Sequence, residues 1–254
     1  MKLVSFNIRR DNFKDGINNF DFRKGMIIDK IKEENPDLIA FQEVLPHVME
    51  FIKENLPDYT VIGRGRGSDF KEESVCIAVK DSTMEIEEFN TFWLSPTPDV
   101  PGSRFKDQSV FPRICSHAIV RYIKDDFFFR IYNTHLDHIG EQARFLGIEC
   151  VLERMRKDSE SFYLPVILSG DFNEIPKSRV LELVRDSECP QLFDLTKDFE
   201  ITYHDYYYGR SEKSKIDYIF ASKEFKLQKA YLWDDEKENI FLSDHYPICI
   251  EVTV

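Results

Sequence analysis

Residues 127–173 read FFFRIYNTHLDHIGEQARFLGIECVLERMRKDSESFYLPVILSGDFN and contain, in one stretch, the pattern that decides the fold. Residues 127–135 and 164–169 are short runs rich in aromatic and β-branched residues, and such runs bounded by turn formers read as strands. Between them, residues 141–157 place Ile148, Val151, Leu152 and Met155 on one face at helical spacing. Each strand then runs out into polar groups: His135 and Asp137 close FRIYNTHLD, and Asp171 and Asn173 follow PVILSG.

The same pattern extends in both directions. Residues 2–8, 37–43, 59–62, 74–80, 86–94, 114–123, 215–221, 226–233 and 246–254 have the same character, which makes about eleven strands in all. Helical spacing recurs in residues 22–34, with Ile27, Ile28 and Ile31 on one face, in residues 46–56, and in residues 178–185, which open with Ser178 as a suitable N-cap. Many strands with few helices predict an α/β fold of two packed sheets flanked by helices. In that architecture several strand ends share one edge, where loops can gather side chains from distant parts of the chain. No repeat, low-complexity tract or Gly/Ser linker interrupts the 254 residues, so residues 1–254 are expected to form a single domain.

Composition removes several function classes. With 42% hydrophobic and 31% charged residues and a mean hydropathy of −0.40, the chain can bury a core, which excludes a disordered chain. No apolar run approaches the roughly 18–20 residues of a membrane-spanning helix, and MKLVSFNIRR is too short in apolar residues for a secretion signal. The five cysteines are odd in number and widely spaced, without a CxxC pair, so a zinc site or disulfide framework is not expected and a cytoplasmic location is. A net charge of −12 disfavours a long duplex-DNA footprint. The GRGRG run at residues 63–67 lacks the GxGxxG spacing and has no following Lys-Ser/Thr pair, which argues against a dinucleotide or P-loop site.

Asn7, Glu43, His135, Asp137, Asp171, Asn173, Asp217, Asp244 and His245 all end or interrupt otherwise apolar strands. Any one of the acids or amides could be a turn former. Together, several carboxylates at one edge would repel each other and call for protonation or a cation. A donor set of Asp, Glu and Asn with few histidines and no cysteine suits hard Mg²⁺, with Mn²⁺ as a substitute, better than Zn²⁺.

In this order, NIR (Asn7), QE (Glu43), NTHLDH (His135, Asp137), GDFN (Asp171, Asn173), IDYIF (Asp217) and SDHYPI (Asp244, His245) resemble the endonuclease/exonuclease/phosphatase family across the whole chain. The resemblance implies a deoxyribonuclease-I-like four-layer α/β sandwich with two mainly antiparallel sheets. It implies Glu43 as principal metal ligand with Asn7 and Asp244 completing the metal environment. Asp171 would orient or deprotonate the attacking water, Asn173 would hold a phosphate oxygen, and His135 would contact the phosphate or help protonate the leaving oxygen. Asp217 and His245 resemble the family's carboxylate–histidine dyad, and the pairing has its own chemical sense, because a carboxylate raises the imidazole pKa and makes it a cationic donor. Asp137 and His138 are assigned a supporting structural role as readily as a chemical one.

NTHLDH looks closest to the deadenylase and nocturnin side of the family and to compact bacterial relatives. A Mg²⁺-dependent phosphodiesterase acting by in-line attack of water on RNA ends, nucleotides or another small phosphodiester is therefore the favoured reading. The alternatives are a phosphomonoesterase on sugar or inositol phosphates or phosphorylated dinucleotides, and a non-catalytic binder of a phosphorylated ligand. The implied partner is a phosphorylated small molecule or short single-stranded nucleic acid, engaged by a monomer. Arg9, Arg10, Arg64, Arg66 and Arg104 read as solvated surface charge, whereas Arg113, just before an apolar strand, suits bidentate phosphate contact. Trp93, in the proline-rich residues 92–105, is either a packed cover or a stacking surface. The tyrosines of TYHDYYYG at residues 202–209 are a candidate platform for a flat ring.

Overall fold

Two six-stranded sheets lie face to face in a computed structural model that describes residues 1–254. In chain order the elements are β1 (Lys2–Asn7), α1 (Phe20–Glu34), β2 (Leu38–Val44), α2 (Pro46–Asn55), β3 (Tyr59–Ile62), β4 (Ser74–Lys80), β5 (Met84–Trp93), β6 (Ile114–Tyr122) and β7 (Phe127–His135). There follow α3 (Glu141–Ser161), β8 (Val166–Asp171), α4 (Arg179–Arg185), β9 (Phe193–Asp194), β10 (Asp217–Ala221), β11 (Lys226–Leu232), β12 (Glu236–Lys237), β13 (Ile240–Phe241) and β14 (Ile248–Thr253). One sheet runs β11-β14-β1-β2-β4-β3 and the other β5-β6-β7-β8-β10-β9, while β12 and β13 form a separate hairpin. Most neighbours are antiparallel. The parallel pairs β1/β2 and β7/β8 are joined through α1 and α3, as a parallel pair requires a crossover.

Strand alternation sorts the residues into layers. Val4, Phe6, Ile39 and Phe41 turn outward to Ile27, Ile31, Val48 and Ile52 of α1 and α2. Tyr132, Val166, Leu168, Tyr218 and Phe220 turn to Ile148, Val151, Val180 and Val184 of α3 and α4. The opposite parity, including Leu3, Leu38, Phe129, Ile131, Ile167 and Ile219, fills the space between the sheets. The result is the expected four-layer α/β sandwich with two mainly antiparallel sheets. Each fully buried Ile, Leu or Phe in these layers contributes about 1.5–3 kcal/mol of transfer free energy.

All eleven expected strands form, with adjusted ends. The two-residue strands β9, β12 and β13 are too short to carry a period and were not anticipated. β14 begins at Ile248, after Pro247, because proline lacks the N–H that a ladder needs. Asp244 and His245 therefore sit on the loop leading into the strand. Trp93 is 2% exposed, and its indole N–H donates to the Arg66 carbonyl at 2.7 Å, so it is a packed cover and not a stacking surface.

Candidate active site

The space between the sheets is apolar at one end and polar at the other, and the same side-chain rows make both ends. On β1, Leu3 lies in the dry layer, Ser5 follows, and Asn7 reaches the edge. β7 runs likewise from Phe129 and Ile131 through Asn133 to His135, and β8 from Ile167 through Ser169 to Asp171. β10 runs antiparallel to β8, so Asp217 pairs opposite Asp171, while the parallel register places His135 beside Asp171. Midway, Gln42 Nε2 donates to Asn133 Oδ1 at 2.8 Å, and Asn133 Nδ2 donates to the carbonyls of Phe41 and Cys76 at 2.8 Å each. These bonds pair most of the polar atoms that the rows bury, leaving Ser169 Oγ and Gln42 Oε1 without a protein partner.

Glu43 does not follow from alternation. The β2/β4 register shifts between Phe41 and Val44, and Glu43 has a φ of 63°, a left-handed backbone that a non-glycine residue adopts at a cost. This bulge re-aims the carboxylate into the cleft. Arg9 (φ 57°) and Asn173 (φ 50°), also lining the cleft, share the left-handed region, which Asn tolerates best.

The cleft has a volume of about 420 Å³, within the range of small-molecule sites. Its walls include Glu43, His135, Asp171, Asn173, Asp244 and His245 together with Arg9, Arg10, Arg66, Arg113 and Tyr203. Asn7 Nδ2 donates to Asp171 Oδ2 at 2.9 Å and to Glu43 Oε1 at 3.1 Å. His135 Nε2 lies 3.5 Å and His245 Nε2 3.8 Å from the same Asp171 oxygen. The dyad is formed: His245 Nδ1 is 2.8 Å from Asp217 Oδ2, which also accepts from Thr202 Oγ1 at 2.6 Å. Asn173 donates its backbone N–H to Asp171 Oδ1 at 2.9 Å and its amide to the Leu136 carbonyl at 3.1 Å.

Burial and neighbouring charges set the protonation states. Burial alone would lower the His245 pKa, but the charge and hydrogen bond of Asp217, then the charges of Asp171 and Asp244, raise it to about 10. Burial and the Asp217 charge push Asp171 up to about 7, against the pull of His245. Burial and the Arg113 charge hold His135 well below the ordinary histidine value, leaving a neutral imidazole. Burial opposes ionisation of Glu43, yet His135, Arg9 and the Arg10 N–H bring its pKa well below the usual range, and the last two act whatever the state of the histidine.

Two donor sets could hold a cation. Ligand atoms of Asp171, Asp217 and His245 lie within 4.8 Å of one another, but an ion among them would have to break the dyad hydrogen bond. Glu43 and Asp244 offer carboxylate oxygens at the cleft wall without that cost, while Asn7 behind them turns Nδ2 to Glu43 and Asp171 and Oδ1 to the Arg9 N–H. Arg9 Nε lies 3.5 Å from Asp244 Oδ2, so this carboxylate is already partly compensated.

The sequence-predicted residues Asn7, Glu43, His135, Asp171, Asn173, Asp217, Asp244 and His245 thus come together. Asp137 stands apart: it is buried and accepts hydrogen bonds from the backbone of Ser109, Ile139 and Gly140 and from Arg113 Nε at 3.2 Å. It holds Arg113, which faces the cleft as expected, and Arg113 Nη2 lies 2.8 Å from His138 Nδ1. Solvated surface charge is the wrong description of Arg66, which is 4% exposed and bonded to Glu73 at 2.7 Å. Glu73 was not anticipated, whereas Tyr203, one of the tyrosines of TYHDYYYG, lines the cleft with its ring 4.9 Å from His245. Arg113 and the GRGRG run were the sequence signals for the arginine side of the cleft.

The Endonuclease/Exonuclease/phosphatase family model matches residues 4–245. A structure of an endonuclease/exonuclease/phosphatase from Bacteroides vulgatus superposes with a TM-score of 0.91 at 30% identity, covering 100% of this chain and 98% of that one. A mannosyl-6-phosphatase from Bacteroides thetaiotaomicron VPI-5482 gives 0.89 at 29% identity, with 100% of both chains covered. The human Nocturnin catalytic domain, solved with bound sulfate, gives 0.79 at 17% identity over 100% of this chain and 93% of that one, a likeness of fold alone. The chain belongs to the endonuclease/exonuclease/phosphatase family, whose members are hydrolases acting on phosphoesters.

Proposed function

We propose that this chain is a divalent-metal-dependent phosphoesterase of phosphorylated small molecules, with Mg²⁺ the expected ion and Mn²⁺ its substitute. The observation that carries the reading is the convergence of Asn7, Glu43, His135, Asp171, Asp217 and His245, from five strands and the loop before β14, around one cleft. Of the two reactions left open by the sequence, hydrolysis of a phosphomonoester on a sugar is favoured, because the relative named a mannosyl-6-phosphatase is 29% identical over both full chains. Hydrolysis of a phosphodiester in a nucleotide or short single strand is the second reading. It is favoured by Tyr203, a flat ring packed against His245 at the cleft wall and able to stack on a base. A non-catalytic role fits less well, since the complete set of acids, amides and dyad is kept in place.

Glu43, Asn7 and Asp244 would hold the ion. When bound, it would neutralise charge on the transferred group and the departing oxygen. Asp171, raised toward neutrality and fixed by Asn7 and the Asn173 N–H, takes the proton of the attacking water. His245, held cationic by Asp217, directs Nε2 at the charge that develops on the phosphoryl oxygens. Asn173 and neutral His135 hold phosphate oxygens by hydrogen bonds. A neutral His135 is a poor acid, so phosphate contact is the part of its expected role that the electrostatics support.

No helix is long and apolar enough to cross a membrane, and all five cysteines are free. The test is release of phosphate from sugar monophosphates and nucleotides, and of nucleotides or shortened strands from short single strands, with Mg²⁺ or Mn²⁺ and with excess EDTA. Turnover that survives EDTA undiminished overturns the metal-dependent mechanism, and cleavage confined to diesters overturns the order of the two substrate classes.

A further inference from the structure

On the side of the cleft away from the dyad, three guanidiniums, Arg10, Arg66 and Arg113, are paired by three carboxylates, Glu72, Glu73 and Asp137. Glu73 is 6% exposed and spends one oxygen on each of two arginines: Arg10 Nη1 at 2.8 Å and Arg66 Nη1 at 2.7 Å. The third, Arg113, is anchored through Nε by Asp137, a carboxylate already saturated by backbone donors. Arg66 Nη2 and Arg113 Nη1 are left without a protein acceptor. Burial and the charge of Arg113 both weigh against the Arg66 guanidinium, with Glu73 offsetting them.

The protein builds this arrangement with care. Arg66 donates its backbone N–H to the Glu73 carbonyl at 2.9 Å, and its own carbonyl accepts the Trp93 indole N–H. Its guanidinium lies 4.5 Å from the centre of the Phe111 ring. The preceding Gly65 is required sterically, since a Cβ there would sit 2.2 Å from the Lys71 carbonyl oxygen. The GRGRG run therefore acts as a tight loop that delivers one buried arginine to the cleft wall. Arg66 and Arg113 are buried at the cleft wall, and the one terminal nitrogen that each keeps without a protein acceptor is a donor that matches phosphate geometry.

We infer that Arg66, with Arg10 and Arg113, forms a second anion subsite beside the scissile-phosphate position, so that the substrate is a phosphomonoester carrying a further phosphate on the same small molecule. The inference rests on the phosphoesterase reading above and narrows its substrate class. Glu73 is a positioning residue of the subsite, fixing two guanidiniums with one carboxylate.

Matched substrates test it: fructose 6-phosphate against fructose 1,6-bisphosphate, and adenosine 5′-monophosphate against adenosine 3′,5′-bisphosphate, assayed with Mg²⁺. Wild-type kcat/KM is expected to favour the bisphosphate of at least one pair by about ten- to hundredfold, the effect of one or two charge-assisted contacts, expressed mainly in KM. Arg66→Met should collapse that ratio toward one, and Arg66→Lys, which keeps the charge and guards against misfolding, should restore part of it. A wild type without preference overturns the inference. So does an Arg66→Met loss that is equal on both members of each pair, because Arg66 would then serve the scissile phosphate itself. Calorimetric titration of the metal-free protein with the same ligands reads the subsite without turnover. Tighter bisphosphate binding there, with no hydrolysis of any phosphoester, would sink the phosphoesterase reading and leave the subsite standing.

Discussion

Replacing Asp217 with Asn isolates the charge of the dyad from its shape. Asn is nearly isosteric and can still accept from His245 Nδ1, 2.8 Å away in the wild type, but it removes the carboxylate that outweighs burial and holds the imidazole pKa at about 10. Without it burial is opposed only by the charges of Asp171 and Asp244, so the His245 pKa falls from about 10 toward its ordinary value of about 6.5. The sign follows directly: the cationic form exists below the pKa, so a lowered pKa removes the donor from the alkaline side first. At pH 8 a group of pKa about 6.5 is roughly 3% protonated, and at pH 6 about three-quarters protonated. Measured against wild type at the same pH, Asp217→Asn should therefore lose up to about 30-fold in kcat at pH 8 and recover most of that ratio by pH 6, whereas the wild type keeps its imidazolium across this window. Initial rates of phosphate release at saturating Mg²⁺ from pH 5.5 to 9, with near-ultraviolet circular dichroism as a control for folding, provide the measurement. A deficit of equal size at pH 6 and pH 8 would refute the electrostatic argument and leave Asp217 as a mere brace for the ring.

Mg²⁺ should raise the Tm of the wild type, by the equivalent of about 2.7 kcal/mol at a hundred times Kd. Glu43→Gln should abolish that rise and cut turnover by on the order of a hundredfold or more, and a normal Mg²⁺ response in the variant would remove Glu43 from the metal site. Gly170 has a φ of +149°, and a Cβ there would lie 1.9 Å from the Thr134 carbonyl oxygen of the neighbouring strand. Gly170→Ala should therefore cost on the order of 3 kcal/mol or more in urea unfolding, and an unchanged midpoint would contradict the packing. Away from the cleft, His117 stacks on Tyr132 with ring centroids 5.3 Å apart, and burial, then the Arg154 charge, lowers its pKa to about 4. A histidine depressed in the folded state binds its proton more readily when unfolded. Its neutral form supports the fold fully above about pH 6.5, and up to about 3 kcal/mol is lost as pH falls to 4. Unfolding free energies across that range should decline less steeply in His117→Phe, and an identical slope would mean that other groups carry the pH dependence.

The candidate site was legible in the sequence because the period that packs the sheets also builds it. Leu3, Ser5 and Asn7 share a face by alternation, as do Phe129, Ile131, Asn133 and His135, so the apolar start of each row predicts where its polar end must point. A strand that switched register by one residue would lose its core contacts and its catalytic group together. Glu43 escapes this rule through a bulge with a φ of 63°, so its place at a strand end, and the resemblance of QE to the family, marked it while its direction did not follow from alternation. The arginine side of the cleft escapes it more completely. Arg10, Arg66 and Glu73 lie on loops or at a loop's end, where no period constrains direction, and charged residues in loops usually face water. What turns Arg66 inward is a set of tertiary contacts: the Lys71 carbonyl that excludes a side chain at residue 65, the Trp93 indole on the Arg66 carbonyl, and Glu73 on its guanidinium. The chemistry common to the family is thus written in strand periodicity, while the groups that would choose a substrate are held by contacts that become visible only once the chain is folded.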